Sequence, residues 1–196
     1  MQMDRFDRAL QMFDEANAED PNHETVDDVL VPKELIYGHR MSARLTVFAP
    51  DAPEALRLAA RCQHLRRWEI PRESYPRDRT GYLRWRTELR KFHAQTAGQI
   101  LHEVGYEPEL VAQVQSLLRK ENLRTNVDTQ TLEDVICLVF LEYYFDPFIG
   151  QHAHEPDKIV DIVRKTWGKM SDQGHEAALA LPLTERALAI VGKALG

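Results

Sequence analysis

The sequence predicts an all-α fold, a single-domain multi-helix bundle. Apolar residues recur at helical spacing along nearly the whole chain, and no strand-like alternation survives for more than a few residues. With 196 residues, 43% of them hydrophobic and 29% charged, the chain has the length and balance of one globular unit with a sizeable core.

The first helix is read from FDRALQMFDEANA, where Phe6, Leu10 and Phe13 form a stripe. EDPNHETVDDVLVP follows as a polar loop with little structure of its own, its acidic part (19–28) composed like a flexible cover over a pocket. PKELIYGHRMSARLTVFAP opens with proline at a first helical turn and closes at Pro50. APEALRLAARCQHLRRW is the next helix, stopped by Pro71. IPRESYPRDRTG is a long proline- and arginine-rich connection, a length often associated with function.

YLRWRTELRKFHAQTAGQILHEVG is a long helix ending at Gly105, a C-cap-like glycine. EPELVAQVQSLLRKEN is shorter and amphipathic. TLEDVICLVFLEYYFDPF is apolar on almost every face and reads as the central buried helix. PDKIVDIVRKTWGKM, SDQGHEAALA and TERALAIVGKAL complete the bundle.

Cys62 and Cys137 both lie in apolar helical stretches, as buried free thiols of a reducing compartment do. The opening twenty residues carry charge throughout, so no secretory leader is expected. The longest apolar run, VICLVFL, is far too short for a bilayer. A cytoplasmic protein without a membrane partner is the expectation.

The net charge of −6 hides an asymmetry. Arg61 to Lys91 holds nine arginines and one lysine against four acids, +6 in all, leaving −12 for the rest. Such a basic island marks where an anion binds, or is a solvated face. Arg67 and Arg72 flank the connection, and Arg86 precedes His93 by seven residues on one helix face. Arg119, Lys120 and Arg124 form a second basic cluster before the buried helix. Guanidinium groups bind phosphate through paired hydrogen bonds. Tyr75, Tyr82, Trp68 and Trp85 are interleaved with the arginines, placed to stack a base or, for the tryptophans, to anchor the core. Extended nucleic acid is not expected of an acidic chain.

Three histidines fall on apolar helix faces: His39 with Ile36, Ala43 and Val47; His64 between Ala60 and Trp68; His93 with Leu89, Ala97 and Ile100. Asp134 opens the most buried helix. Imidazoles and a carboxylate in one core need partners, and a divalent cation (Mn, Fe, Zn, Ni or Mg) would satisfy them together and activate water. Each has a plainer reading. A core histidine can be satisfied without metal, Thr131 to Asp134 fits a capping box, and Glu69 has arginines nearby to pair with.

His39, His64, His93 and Asp134, with 25 residues between the first two and 70 from His64 to Asp134, resemble the metal-ligand order of the HD phosphohydrolase superfamily. That resemblance implies an HD-like bundle with a metal centre. The departure is at Leu65, where that superfamily has an aspartate after the histidine; Glu69 is the available substitute as a catalytic carboxylate. The longer blocks PKELIYGHRMS, RLAARCQHLRRWEIPR, YPRDRTGYLRWRTELRKFHA, QTLEDVICLVFLEYYF and RKTWGKMSDQGHEAALALPL resemble the domain-of-unknown-function-4202 family over almost the whole chain. Lys169-Met170-Ser171 is similar to the ATP-contacting loop of class I synthetases, but the chain lacks their other signatures, which argues against a glutamyl-tRNA synthetase.

The expected function is metal-dependent hydrolysis of a small phosphorylated molecule such as a nucleotide. His39, His64, His93 and Asp134 hold the ion, Glu69 assists, and Arg67, Arg72, Arg86 and Lys120 bind the anion. The rivals are a non-catalytic anion-binding module and, third, an RNA-associated protein.

Overall fold

The computed structural model describes residues 3–196. Ten α-helices account for most of the described residues, in the order α1 (Arg5–Ala18), α2 (Lys33–Phe48), α3 (Glu54–Arg61), α4 (Arg79–Val104), α5 (Pro108–Arg119), α6 (Val127–Val139), α7 (Phe145–Gln151), α8 (Pro156–Trp167), α9 (Asp172–Leu179) and α10 (Glu185–Leu195). The fold is all-α with one small departure, a two-stranded antiparallel hairpin of β1 (His23–Val26) and β2 (Val29–Pro32).

Helix starts follow local chemistry. Asp4, Asp78, Asn126, Ser171 and Thr184 each accept the backbone N–H three residues on, satisfying a donor that the first helical turn leaves free. Gly105 ends α4 at φ 91°, a left-handed conformation that only glycine adopts without strain.

Two expectations are corrected at the level of elements. The acidic stretch is a folded hairpin, because Asp27 and Asp28 both take positive φ (48° and 63°), the pairing of a tight two-residue turn. Asp20 fastens its base by accepting the N–H groups of Asn22 and Glu34. The helix through APEALRLAARCQHLRRW stops early, at Arg61. Residues 62–66 form turns, Arg66 is left-handed at φ 53°, and its N–H donates to the side-chain oxygen of Asn17 on α1. A side chain from another helix therefore diverts the chain where local pattern would continue it.

Two apolar clusters make the core. One joins α1 to α5 with Leu132, Val135 and Val139 of α6. The other is built from Cys137, Leu138, the segment after them and α7 to α10. α6 thus belongs to both, and its continuation widens into a π-helical turn at Phe140–Tyr144. Cys62 and Cys137 are both buried and unbridged. No helix among the described residues is long and apolar enough to cross a membrane.

Candidate functional site

A cavity of about 590 Å³ opens where α2, the end of α3, α4, α5, α6 and α8 meet, within the size range of small-molecule sites. Its lining is divided in character. Lys33, Arg67, Arg86, Lys120, Lys165 and Lys169 bring six cations, against the carboxylates of Glu34 and Glu133. Ile136, Cys137, Phe140 and Ile162 supply an apolar wall, with Tyr37, Tyr82 and Tyr144 beside it.

α2 contributes Glu34 and Tyr37 from a buried row that Met41 and Leu45 continue into the core. α6 and the turn after it contribute Ile136, Cys137, Phe140 and Tyr144. A regular α-helix drifts about 40° over each four-residue step. The wider π turn between Phe140 and Tyr144 reduces that drift and keeps both rings on the cavity.

His64 sits at the centre of a polar cluster. Its ring stacks on Tyr37, centroids 4.0 Å apart and planes within 11°. Nδ1 lies 3.1 Å from a Glu34 carboxylate oxygen, and Nε2 lies 2.9 Å from the Arg67 guanidinium. A guanidinium can only donate, so Nε2 accepts and Nδ1 carries the proton to Glu34. Burial, then Arg67, Arg86, Lys120 and Lys33, hold His64 well below its ordinary pKa, so the ring is neutral. Burial likewise pushes Glu34 up, opposed by Arg67 and Lys33.

His93 lies behind, its ring centroid 5.9 Å from that of His64. Its Nδ1 donates to the Leu65 carbonyl at 2.8 Å, and its buried Nε2 has no partner among the described residues. Burial, with His64 beside it, depresses the ring to a pKa of about 3. Lys120, left-handed at φ 58° after α5, forms a buried ion pair with Glu133, which the ammonium holds below the usual carboxylate range against the effect of burial. Burial pushes the Cys137 thiol up to about 12, which makes it a packing group and a poor nucleophile.

The four expected metal ligands do not converge. His39 is half exposed and lies 3.2 Å from Asp14 and 3.0 Å from Arg61. The row it was assigned to is the wrong face of α2, since Glu34, Tyr37, Met41 and Leu45 lie two residues, or about 200°, around the helix. Asp134 is buried but spent on another task. It accepts the Ser171 N–H (2.8 Å), the Ser171 hydroxyl (2.6 Å) and the Gln130 amide (3.1 Å), anchoring the start of α9. Nor does it close a capping box, because α6 begins seven residues earlier at Val127 with Asn126 as its cap.

Only His64 and His93 are brought together, and both nitrogens of His64 are engaged, one by a cation. Among the described residues no three His, Cys, Asp or Glu side chains are placed to hold a metal. The residues do not fit a divalent-ion centre.

Of the remaining expectations, Arg67, Arg86 and Lys120 line the cavity. Arg72 does not; its guanidinium donates to the Tyr75 and Pro76 carbonyls and braces the connection. Glu69 pairs with Arg66 at 2.6 Å and lies in a separate groove with Ile70 and Pro71. Trp85 is a core anchor whose indole N–H donates to the Ile70 carbonyl, while Tyr82 reaches the cavity. Lys169-Met170-Ser171 is the turn between α8 and α9, with Ser171 as the cap of α9.

Sequence reasoning missed Lys33, Glu34, Gln63, Glu133 and Lys169. A signal existed for Glu34 and Glu133, each a carboxylate on an otherwise apolar helix row. Gln63 is neutral and lies in the turn that was read as helix, so periodicity offered none.

In comparison with known proteins, a family model described as "Domain of unknown function (DUF4202)" matches residues 7–191. No curated protein and no solved structure matches the chain.

Proposed function

The chain belongs to the DUF4202 family, a membership that leaves its activity to be read from the site, and we propose that the central cavity binds a small phosphorylated molecule. The observation that carries this is Arg86. It is half-buried, lines the cavity, and has no carboxylate within 4 Å and no hydrogen-bond partner among the described residues. Neighbouring Arg67 and Lys120 are also within the cavity, but the acids there are committed: Glu34 is shared between Arg67 and His64, and Glu133 pairs with Lys120. A partly desolvated guanidinium with no carboxylate in direct contact is costly, and an anion entering from solvent offsets that cost. Lys33 and Lys169 line the same space without acidic partners of their own among the described residues.

Titration calorimetry with pyrophosphate tests this. Arg86→Ala loses about ten- to a hundred-fold in affinity, the size of one or two hydrogen bonds to a charged group. Arg84→Ala, which removes only an exposed pair with Glu88, changes nothing. Equal binding by wild type and Arg86→Ala would remove the basis of the proposal.

A hydrolytic reading stands second, on the neutral imidazole of His64 held by Glu34 against the cavity. It expects slow phosphate release from phosphoesters without added metal, lost in His64→Gln; no release above buffer from the wild type leaves binding as the function.

A further inference from the structure

Gln63 is a buried, uncharged cavity residue whose polar chemistry is unused among the described residues. It is only 4% exposed, it lines the cavity, and its amide makes no hydrogen bond within the described chain; the side-chain oxygen is buried without a donor. Buried amides are normally paired, and leaving one unpaired costs on the order of 1–3 kcal/mol. The neighbours explain why it stays free. His64 next to it is engaged on both nitrogens, and Glu34 is committed to His64 and Arg67.

From this we infer that Gln63 reads the uncharged part of the ligand, and that this part is a planar ring with a donor beside an acceptor, as on the edge of a nucleobase. The inference rests on the phosphate-binding reading above and deepens it. A carboxamide presents one donor and one acceptor side by side, so its best partner is a group offering the complementary pair. The last torsion of glutamine is soft, so the amide turns to match the edge that enters. The wall of Ile136, Phe140, Ile162 and Tyr144 gives the faces of such a ring an apolar surface. Arg86, Arg67 and Lys120 take the phosphate. An aliphatic phosphoester would leave the Gln63 amide unpaired, and a free nucleoside would leave Arg86 unpaired.

The test is titration of the full-length protein with pyrophosphate, the four common ribonucleoside 5′-monophosphates and their nucleosides. At least one monophosphate is expected to bind ten-fold or more tighter than pyrophosphate and its own nucleoside. Gln63→Leu, close in shape, then weakens that nucleotide by about ten-fold or more and leaves pyrophosphate unchanged. Retained pyrophosphate binding reports that the variant is folded, and Gln63→Met repeats the comparison if Gln63→Leu does not fold. If pyrophosphate binds through Arg86 but no nucleotide binds tighter, or if the Gln63 variants weaken both ligands equally, the inference falls while the phosphate site stands. If neither pyrophosphate nor any nucleotide binds, the phosphate reading itself has failed.

Discussion

His93 shows how burial fixes the chemistry of a single side chain. Its pKa falls from the ordinary 6.5 to about 3, so the folded protein stays unprotonated there over a range in which the unfolded chain takes up a proton. Stability contributed by this residue is therefore present above pH 6.5 and declines as the pH falls towards 3, by about 1.4 kcal/mol per pH unit. His64 is depressed for the same reason and adds in the same direction, while the raised Glu34 opposes it. Urea midpoints at pH 7 and pH 5 measure the effect. The wild type loses more stability between them than His93→Gln, and identical losses would show that His93 does not titrate as described. At this scale the sequence was half legible. It placed His93 on a buried row and Arg86 on the same helix face, both of which the structure bears out. It assigned His39 and Asp134 to the same centre, because residue type and order carry no information on which partner captures a side chain. Asp14 and Ser171 are remote in sequence from the groups they engage.

Among the elements, the start of α9 depends on α6. Asp134 accepts both the Ser171 hydroxyl and its N–H, and Gly174 packs so closely that an added Cβ would meet the Asp134 carboxylate at 2.6 Å. Gly174→Ala is expected to destabilise the protein by about 1–3 kcal/mol through overpacking, measured as a lowered urea midpoint. Asp134→Ala and Ser171→Ala are expected to be less than additive when combined, since each removes the other's partner; a double-mutant cycle summing without a coupling energy would separate them. The existence of α4 and α6 was legible, although the residue pattern puts their starts at Tyr82 and Thr131, three and four residues inside the helices that Asp78 and Asn126 cap. The hairpin and the early end of α3 were not. One depends on two aspartates taking a left-handed turn, the other on Asn17 reaching across from α1 to the Arg66 amide.

For the molecule as a whole, the cavity lies where the two apolar clusters share α6. A ligand held there contacts both, so it stabilises the whole cooperative unit. Saturating ligand at about 100 times its Kd is expected to add about 2.7 kcal/mol, seen as one shifted melting transition; a shift confined to part of a biphasic melt would show that only one cluster is engaged. Exhaustive dialysis against a chelator is expected to leave pyrophosphate affinity unchanged, because the anion is held by guanidinium and ammonium groups. The all-α class was readable from periodicity alone, which reports burial around each helix. The cavity was not, because it is set by how helices α2, α4, α5, α6 and α8 meet.

The π turn at Phe140–Tyr144 has a bearing on which length changes the chain tolerates. It accommodates about one residue more than a regular helix would hold over the same rise. Deleting a single residue there would let the segment relax into unbroken α-helix, locally a more favourable backbone, and Phe145 and Ile149 would keep their direction into the second core, because the wide turn already absorbs the extra residue. Residues inside the turn, Tyr144 among them, would instead move around the axis and disturb the cavity wall. One residue lost from the regular part of α6 has the opposite effect: it turns everything downstream by about 100° and takes the second core out of register.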